Sequence, residues 1–258
     1  MLMKISIVTA TFNSAKTLRD NIKSVLSQTH QDFEHIIVDG LSSDETMQIV
    51  KECEPMYNGR LRYVSEKDTG IYNAMNKGIK MATGDAVGLL NSDDVFGDSM
   101  ALKAISDAFE ESNADCVFGK LYIVDQIDTS KVLRISNSGS YKDGAFFRGW
   151  HPAHPTFYVK TNCYRNLGYY NEELKIAADF ELMLRFIEKE KISTKFIDKV
   201  LTLQRAGGVS TKFSGHIKSN LEIIRAFKMN GMSIPLTCLP RKVIPKVLNV
   251  LKLKLGIK

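Results

Sequence analysis

The chain is poor in the residues that staple or stiffen unusual folds. Its cysteines, Cys53, Cys116, Cys163 and Cys238, stand far apart with no CxxC pair and no Cys/His ligand spacing. This argues against a disulfide scaffold or a zinc site and reads as reduced thiols of a cytosolic protein. No apolar run reaches the roughly 18 residues that a membrane-spanning helix needs. The short apolar stretch after Lys4 ends in Thr9, Thr11 and Asn13 without a small-residue cleavage site, so it is read as a first strand and not as a secretory leader. With 17 Gly and 6 Pro in 258 residues and 44% hydrophobic content, collagen-like and disordered chains are also excluded.

Acidic residues are missing from one end. Between Ile223 and Lys258 stand Arg225, Lys228, Arg241, Lys242, Lys246, Lys252, Lys254 and Lys258, with no Asp or Glu. The formal charge of +6 therefore belongs to this tail and leaves residues 1–222 at −2. A nucleic-acid binder would be expected to carry a basic body, so nucleic acid is not an expected partner.

The first hundred residues alternate β-rich runs with helix-period segments. Residues 4–9, 33–38, 61–65 and 86–90 read as strands, and residues 14–29, 44–53, 71–82 and 99–111 as helices. Such alternation implies an α/β fold with a mainly parallel sheet sandwiched by helices. After Asp115 the pattern changes to a strand pair at 116–124 and 131–136, an aromatic and Gly-rich stretch YKDGAFFRGWHPAHP, and a helix at 179–189. We expect one domain over 1–228, with a nucleotide-binding half (1–115) and an α+β acceptor half (116–228). Residues 229–258 are read as a separate C-terminal helical tail.

In open α/β sheets, ligands sit beyond the carboxyl ends of the strands. The residues there are Thr9, Thr11 and Asn13, then Asp39, Gly40, Ser42, Ser43 and Asp44, then Glu66 and Asp68, then Asn91, Ser92, Asp93 and Asp94. Paired carboxylates at a buried strand end call for neutralisation, which a hard divalent cation with oxygen ligands supplies. The alternative is that one of them caps the next helix, a role for which Asp98 is better placed. A metal here would hold a diphosphate, while Asp39 accepts from an N–H of a base and Thr11 or Asn13 contacts the nucleotide.

Three segments carry a resemblance: TATFNSAKTLRDNIKSVLSQTHQDFEHIIVDGLSSDETMQIV, SEKDTGIYNAMNKGIKMATGDAVGLLNSDD and GYYNEELKIAADFELMLR. Together they are similar to family 2 glycosyltransferases of the GT-A (Rossmann-like) fold, of the kind that assembles bacterial O-antigen, lipopolysaccharide or capsule. The resemblance runs from about residue 3 to 211.

The resemblance implies roles. Asp39 matches the aspartate that reads the uracil edge, with Thr9, Thr11, Asn13 and Ser42 near base and ribose. Asp68, Lys77, Asn91 and Ser92 fall in the donor site. Asp93 matches the last aspartate of the DxD motif and, with Asp94 and His154, forms the implied Mn²⁺ or Mg²⁺ set. Arg205, in LQRAGGVST beside Gln204, lies where relatives carry a loop that closes over the donor. An ordinary glycine turn reads the same way. Asp179 matches the catalytic base, and an ordinary helix cap is its bland alternative. His151 and His154 stand where relatives place a histidine near donor or acceptor, or else are structural. Two departures stand out: Asn91 replaces the usual first Asp of the motif, and Ala178 precedes Asp179 where Glu is common.

The implied activity is an inverting, metal-dependent transfer of a sugar from a nucleotide-sugar donor, UDP-hexose or UDP-N-acetylhexosamine, to a hydroxyl of a lipid-linked saccharide. A nucleotidyltransferase would be expected to show a Gly-rich basic phosphate loop, and TATFNSAKT is not one. A non-catalytic nucleotide-sugar binding protein is the other alternative. In the tail, Val247, Leu248, Leu251 and Leu255 fall on one helical arc with Lys246 and Lys252 opposite. This reads as an interfacial helix on an anionic leaflet or as a helix packed on the body. Lipid-linked acceptors favour the first, so residues 241–258 are expected at the inner face of the membrane and the chain is expected to be cytoplasmic and peripheral.

Overall fold

In the computed structural model, residues 3–207 and 213–233 are described. The proposed tail segment 241–258 lies outside them. The strands are β1 (Ile5–Thr11), β2 (Phe33–Asp39), β3 (Leu61–Ser65), β4 (Ala86–Leu89), β5 (Val95–Phe96), β6 (Cys116–Val124), β7 (Val132–Ser136), β8 (Tyr158–Lys160) and β9 (Thr194–Arg205). Among the described residues they form one sheet in the order β3-β2-β1-β4-β8-β6-β9-β5, with β7 paired to β6. The first four strands in space run parallel, as the alternation of strand and helix requires. β8 is antiparallel to both β4 and β6, and so joins the second half of the chain to the same sheet.

Helices α1 (Leu18–Leu26), α2 (Thr46–Cys53) and α4 (Ala101–Ser112) bury their apolar stripes on one face. On the other face lie α3 (Ile71–Met81), α5 (Thr161–Leu167), α6 (Ala178–Met183) and α7 (Phe213–Met229). β1 and β2 are buried along their whole length, so apolar residues stand on both faces and the polar ones among them must find partners inside. α3 lies close on β1, and Gly78 permits it: a Cβ there would stand 2.3 Å from Val8 Cγ1. Among the described residues no helix is long and apolar enough to cross a membrane.

Two expected helices differ in detail. The first begins at Leu18 and not at Ser14, because the Ser14 and Ala15 amides instead bind Thr46 Oγ1 at the start of α2 and Asp44 Oδ2 just before it. The helix expected over 179–189 starts at Ala178 and continues from Leu184 to Lys189 as a π-helix. β5, β9, α5 and α7 were not legible as periodic segments.

The amino-terminal edge of the sheet is held by a buried acid. Glu34 Oε1 accepts from the Ser6 hydroxyl (2.7 Å), the Thr83 amide and hydroxyl (2.6 and 3.0 Å) and the Gly84 amide (3.2 Å). Burial disfavours its ionised form, but the Ser6 and Thr83 hydrogen bonds and the Lys4 charge outweigh this and hold the carboxyl below its ordinary value. A depressed carboxyl contributes stability that is present above its unfolded value and is lost as the pH falls through its folded one. Glu34→Gln should therefore lower Tm at pH 7 by roughly 5–10 °C and flatten the acid-side loss of stability. Thermal unfolding between pH 3 and 7 checks both.

Candidate active site

The carboxyl ends of β1, β2, β3 and β4 open on one edge. Backbone register sets Thr11 beside Asp39 and Asp39 beside Ser65. The first two strand-end loops are stitched together: the Asn13 amide donates to Ser42 Oγ (2.8 Å) and the Ser43 amide to Asn13 Oδ1 (2.9 Å). Asn13 adopts φ +50°, a conformation that Asn tolerates. Asn13 and Ser42 thus build the rim as well as facing it.

Asp39 ends β2 fully buried. Its Oδ2 accepts from the Ser42 amide (3.0 Å) and the Ser65 hydroxyl (2.6 Å), and its Oδ1 from the Ser42 hydroxyl (2.5 Å). Oδ2 is thereby saturated and Oδ1 keeps one lone pair. Beside it, Gly40 leaves room for Asp68: a Cβ would sit 2.5 Å from Asp68 Oδ2 and 3.4 Å from the Phe12 ring, so the carboxylate would have to shift. Asp68 also holds the start of α3 through the Gly70 amide (2.9 Å). Phe12 and Leu41 project here 63% and 53% exposed, Leu41 at φ +61°. An exposed leucine at positive φ and an exposed ring gain little from burial. Neither residue was singled out in the sequence, although an aromatic in a strand-end loop was the available signal.

Thr9 does not reach this edge, against expectation. Its side chain points into the same layer as Ile5 and Ile7 and is fully buried. Thr9 Oγ1 donates to Leu90 O (2.8 Å), so the 2.9 Å contact from His35 Nε2 must carry the imidazole proton. His35 Nδ1 then accepts from Tyr57 OH (2.6 Å). Burial pushes the His35 pKa down to about 3, which keeps the ring neutral and the chain of bonds intact. Thr11 Oγ1, two residues on, is buried without a partner and is the hydroxyl left available.

The β4–β5 loop carries the paired carboxylates. Asp94 is fully buried, its Oδ2 accepting from Asn91 Nδ2 (2.8 Å) while Oδ1 has no partner. Asp93 is only half-buried. Burial and the adjacent Asp93 charge push the Asp94 carboxyl well above its ordinary value, and burial also raises Asp93. Asn21 on α1 fixes the loop by donating to Asn91 O and Asp94 O (2.8 and 3.0 Å). Ser92 Oγ bonds Ser14 Oγ (2.9 Å). The helix-cap alternative for the pair falls away, because Asp98 takes the Met100 amide ahead of α4 (2.9 Å).

Lys77 donates to Lys67 O and pairs with Glu66, both at 2.8 Å. Arg205, expected in a loop that closes over the donor, stands on a strand. It ends β9 at 8% exposure, held by Asp20 (2.7 Å) and Gln126 O (3.0 Å), and its charge acts on Asp93. Asp179, the second residue of α6, is half-buried. Its Oδ1 accepts from the Phe180 amide (2.8 Å) and lies 3.4 Å from Tyr72 OH at the start of α3. His154 shares a 2.7 Å hydrogen bond with Tyr170 OH. Burial lowers its pKa and the Asp179 charge opposes that shift. Among the described residues no group of three His, Cys, Asp or Glu is arranged around a metal position. His154 as a third ligand is therefore not brought to Asp93 and Asp94. His151 is exposed, with Nδ1 against Pro152 O (2.9 Å) and its ring edge-on to Phe180.

A parallel sheet with an acidic carboxyl edge, closed at one side by a reversed strand and a half-buried aspartate, is the architecture of a GT-A glycosyltransferase. The chain belongs to glycosyl transferase family 2, whose model matches residues 6–168. It is 28% identical over 211 residues to a PGL/p-HBAD biosynthesis glycosyltransferase of Mycobacterium bovis, covering 80% of this chain and 78% of that one. An uncharacterized glycosyltransferase of Nostoc sp. is 33% identical over 126 residues, 49% of this chain and 39% of that one. The fold matches that of S. aureus TarS 1–349 in complex with UDP-GlcNAc, with a TM-score of 0.69 at 20% identity over 93% of this chain and 69% of that one. It also matches the mannosyltransferase PcManGT of Pyrobaculum calidifontis in complex with GDP-Man and Mn²⁺, with a TM-score of 0.65 at 14% identity over 98% and 81%.

Proposed function

We propose that this glycosyltransferase moves a sugar from a UDP-sugar to an acceptor hydroxyl with inversion. The observation that supports the reading is that Asp39 and the Asp93–Asp94 pair follow the carboxyl ends of the parallel strands β2 and β4 of one sheet, while Asp179 opens α6 at 3.4 Å from Tyr72 OH. Asp39 offers a ligand only Oδ1, because Oδ2 is saturated. A single acceptor oxygen suits the one imide N–H of uracil better than the paired N–H groups of guanine. Phe12 and Leu41 supply the exposed apolar contact for the base.

The diphosphate would lie toward Asp93. Two adjacent carboxylates with raised pKa values fit a divalent cation, Mn²⁺ or Mg²⁺, held through Asp93, with Asp94 buried behind it. Such an ion supplies fixed positive charge against the leaving diphosphate, and Arg205 adds a fixed guanidinium nearby. Asp179 takes the acceptor proton as that oxygen attacks C1, while the C1–oxygen bond to the phosphate breaks with its electron pair on the diphosphate. Tyr72 steadies the peptide that leads into Asp179 by donating to Ile176 O (2.9 Å). The acceptor we propose is a lipid-linked surface saccharide, with segment 241–258 at the inner leaflet. Co-sedimentation of the full chain with anionic and neutral vesicles tests that placement, and equal binding to both removes it.

A panel of UDP-GlcNAc, UDP-glucose, UDP-galactose and GDP-mannose, each with and without Mn²⁺, tests the donor reading. UDP-sugars should raise Tm and release UDP in a metal-dependent way. A larger response to GDP-mannose would overturn the uracil assignment, and no response to any donor would overturn the function.

A further inference from the structure

Glu222 lies on α7, in the last described element of the chain, and is half-buried. Its carboxylate accepts from three consecutive backbone amides: Lys175 to Oε1 (3.0 Å), and Ile176 and Ala177 to Oε2 (both 2.8 Å). These amides immediately precede Ala178 and Asp179, where α6 begins. Amides in such a turn have no partner within the helix that follows, so one carboxylate satisfies a whole strap of donors at the helix's positive end. The same strap is gripped from its other side by Tyr72, whose hydroxyl donates to Ile176 O (2.9 Å) and lies 3.4 Å from Asp179 Oδ1. Two anchors from separate helices therefore fix the peptide that presents Asp179.

We propose that Glu222 is a positioning residue for Asp179, acting through the Lys175–Ala177 strap. This rests on the reading of Asp179 as the base. α7 has no need of Glu222 for its own attachment. Ala226 and Phe227 are fully buried against the core, and Asn230 donates to Glu181 Oε1 (3.0 Å) and to Ala226 O (2.9 Å). A carboxylate spent on the strap instead of the helix's packing fits a role in setting the aim of the base. Geometric tolerance at such a group is tight: a misplacement of about 1 Å costs on the order of 10²-fold in rate.

The test is a double-mutant cycle on the full chain, with Glu222→Ala, Asp179→Asn and both together, read by kcat, UDP affinity and Tm. Glu222→Ala should lower kcat by about 10–100-fold while UDP affinity stays within about twofold. In the Asp179→Asn background the same change should alter the residual rate by less than about twofold, since a group acting only through Asp179 has nothing left to aim. Glu222→Gln keeps an acceptor oxygen for part of the strap and should fall between wild type and Glu222→Ala. It also carries the test if the alanine form does not fold. An unchanged kcat in Glu222→Gln and Glu222→Ala, or a full multiplicative loss in the Asp179→Asn background, overturns the proposal. If Asp179→Asn alone keeps near-wild-type turnover, the base assignment itself fails, which is a separate outcome.

Discussion

Asp179→Asn is expected to bind donor normally and to lose about 10²–10⁴-fold in kcat, equivalent to roughly 3–5 kcal/mol of barrier. The substitution is nearly isosteric, and its amide oxygen can still accept from the Phe180 amide as the carboxylate does now. Tyr72 keeps its bond to Ile176 O, so the turn should hold. What disappears is an acceptor basic enough to take a proton from a sugar hydroxyl. Donor affinity should be preserved because the strand-end residues Thr11, Asp39 and Asp93 sit on other elements. Steady-state kinetics paired with UDP titration separates the two effects. Turnover close to wild type would remove Asp179 from the mechanism, and a parallel loss of UDP affinity would move it into the donor site.

The fold was legible wherever one local period dominated. The first four strands are within two residues of their expected bounds at either end, because buried parallel strands and amphipathic helices each leave a pattern in short windows. β9 left none: Lys195, Asp198 and Lys199 interrupt its alternation, and its pairing with β6 shifts register twice near Gly119 and Lys120. The site was legible as a list of strand-end residues, since topology alone sends ligands there. The partners of those residues were not. Thr9 reads as a free hydroxyl until His35 on the neighbouring strand is seen to use it. Arg205 reads as a loop cation until Asp20, 185 residues away, is found holding it. Tyr72, though inside one of the resembling segments, and Glu222 have no role legible in the sequence and acquire meaning only through the peptide they share.

Asp93→Ala is expected to weaken metal-dependent UDP binding on the order of 10²-fold, whereas Asp94→Ala should chiefly cost stability. The difference follows from burial. Asp94 is fully enclosed and anchors the loop through Asn91 Nδ2, so its removal leaves that amide without its acceptor. Asp93 is half-buried beside it and has the solvent-facing side of the pair. Without a cation, however, Asp93 is a burden on the fold: its charge adds to the burial that already pushes the Asp94 carboxyl up, and the Asn91, Arg205 and Gln204 hydrogen-bond donors offset this only in part. Metal-free Asp93→Ala should therefore melt at the same temperature as wild type or higher, as expected where like charges are kept together for function. Adding Mn²⁺ and UDP should raise the wild-type Tm strongly and that of Asp93→Ala little. Calorimetric titration of UDP with and without Mn²⁺ gives the matching affinities. If the metal-dependent gain in UDP affinity survives in Asp93→Ala and disappears in Asp94→Ala, the two carboxylates have exchanged roles, and the loop must open to expose Asp94 when the donor binds.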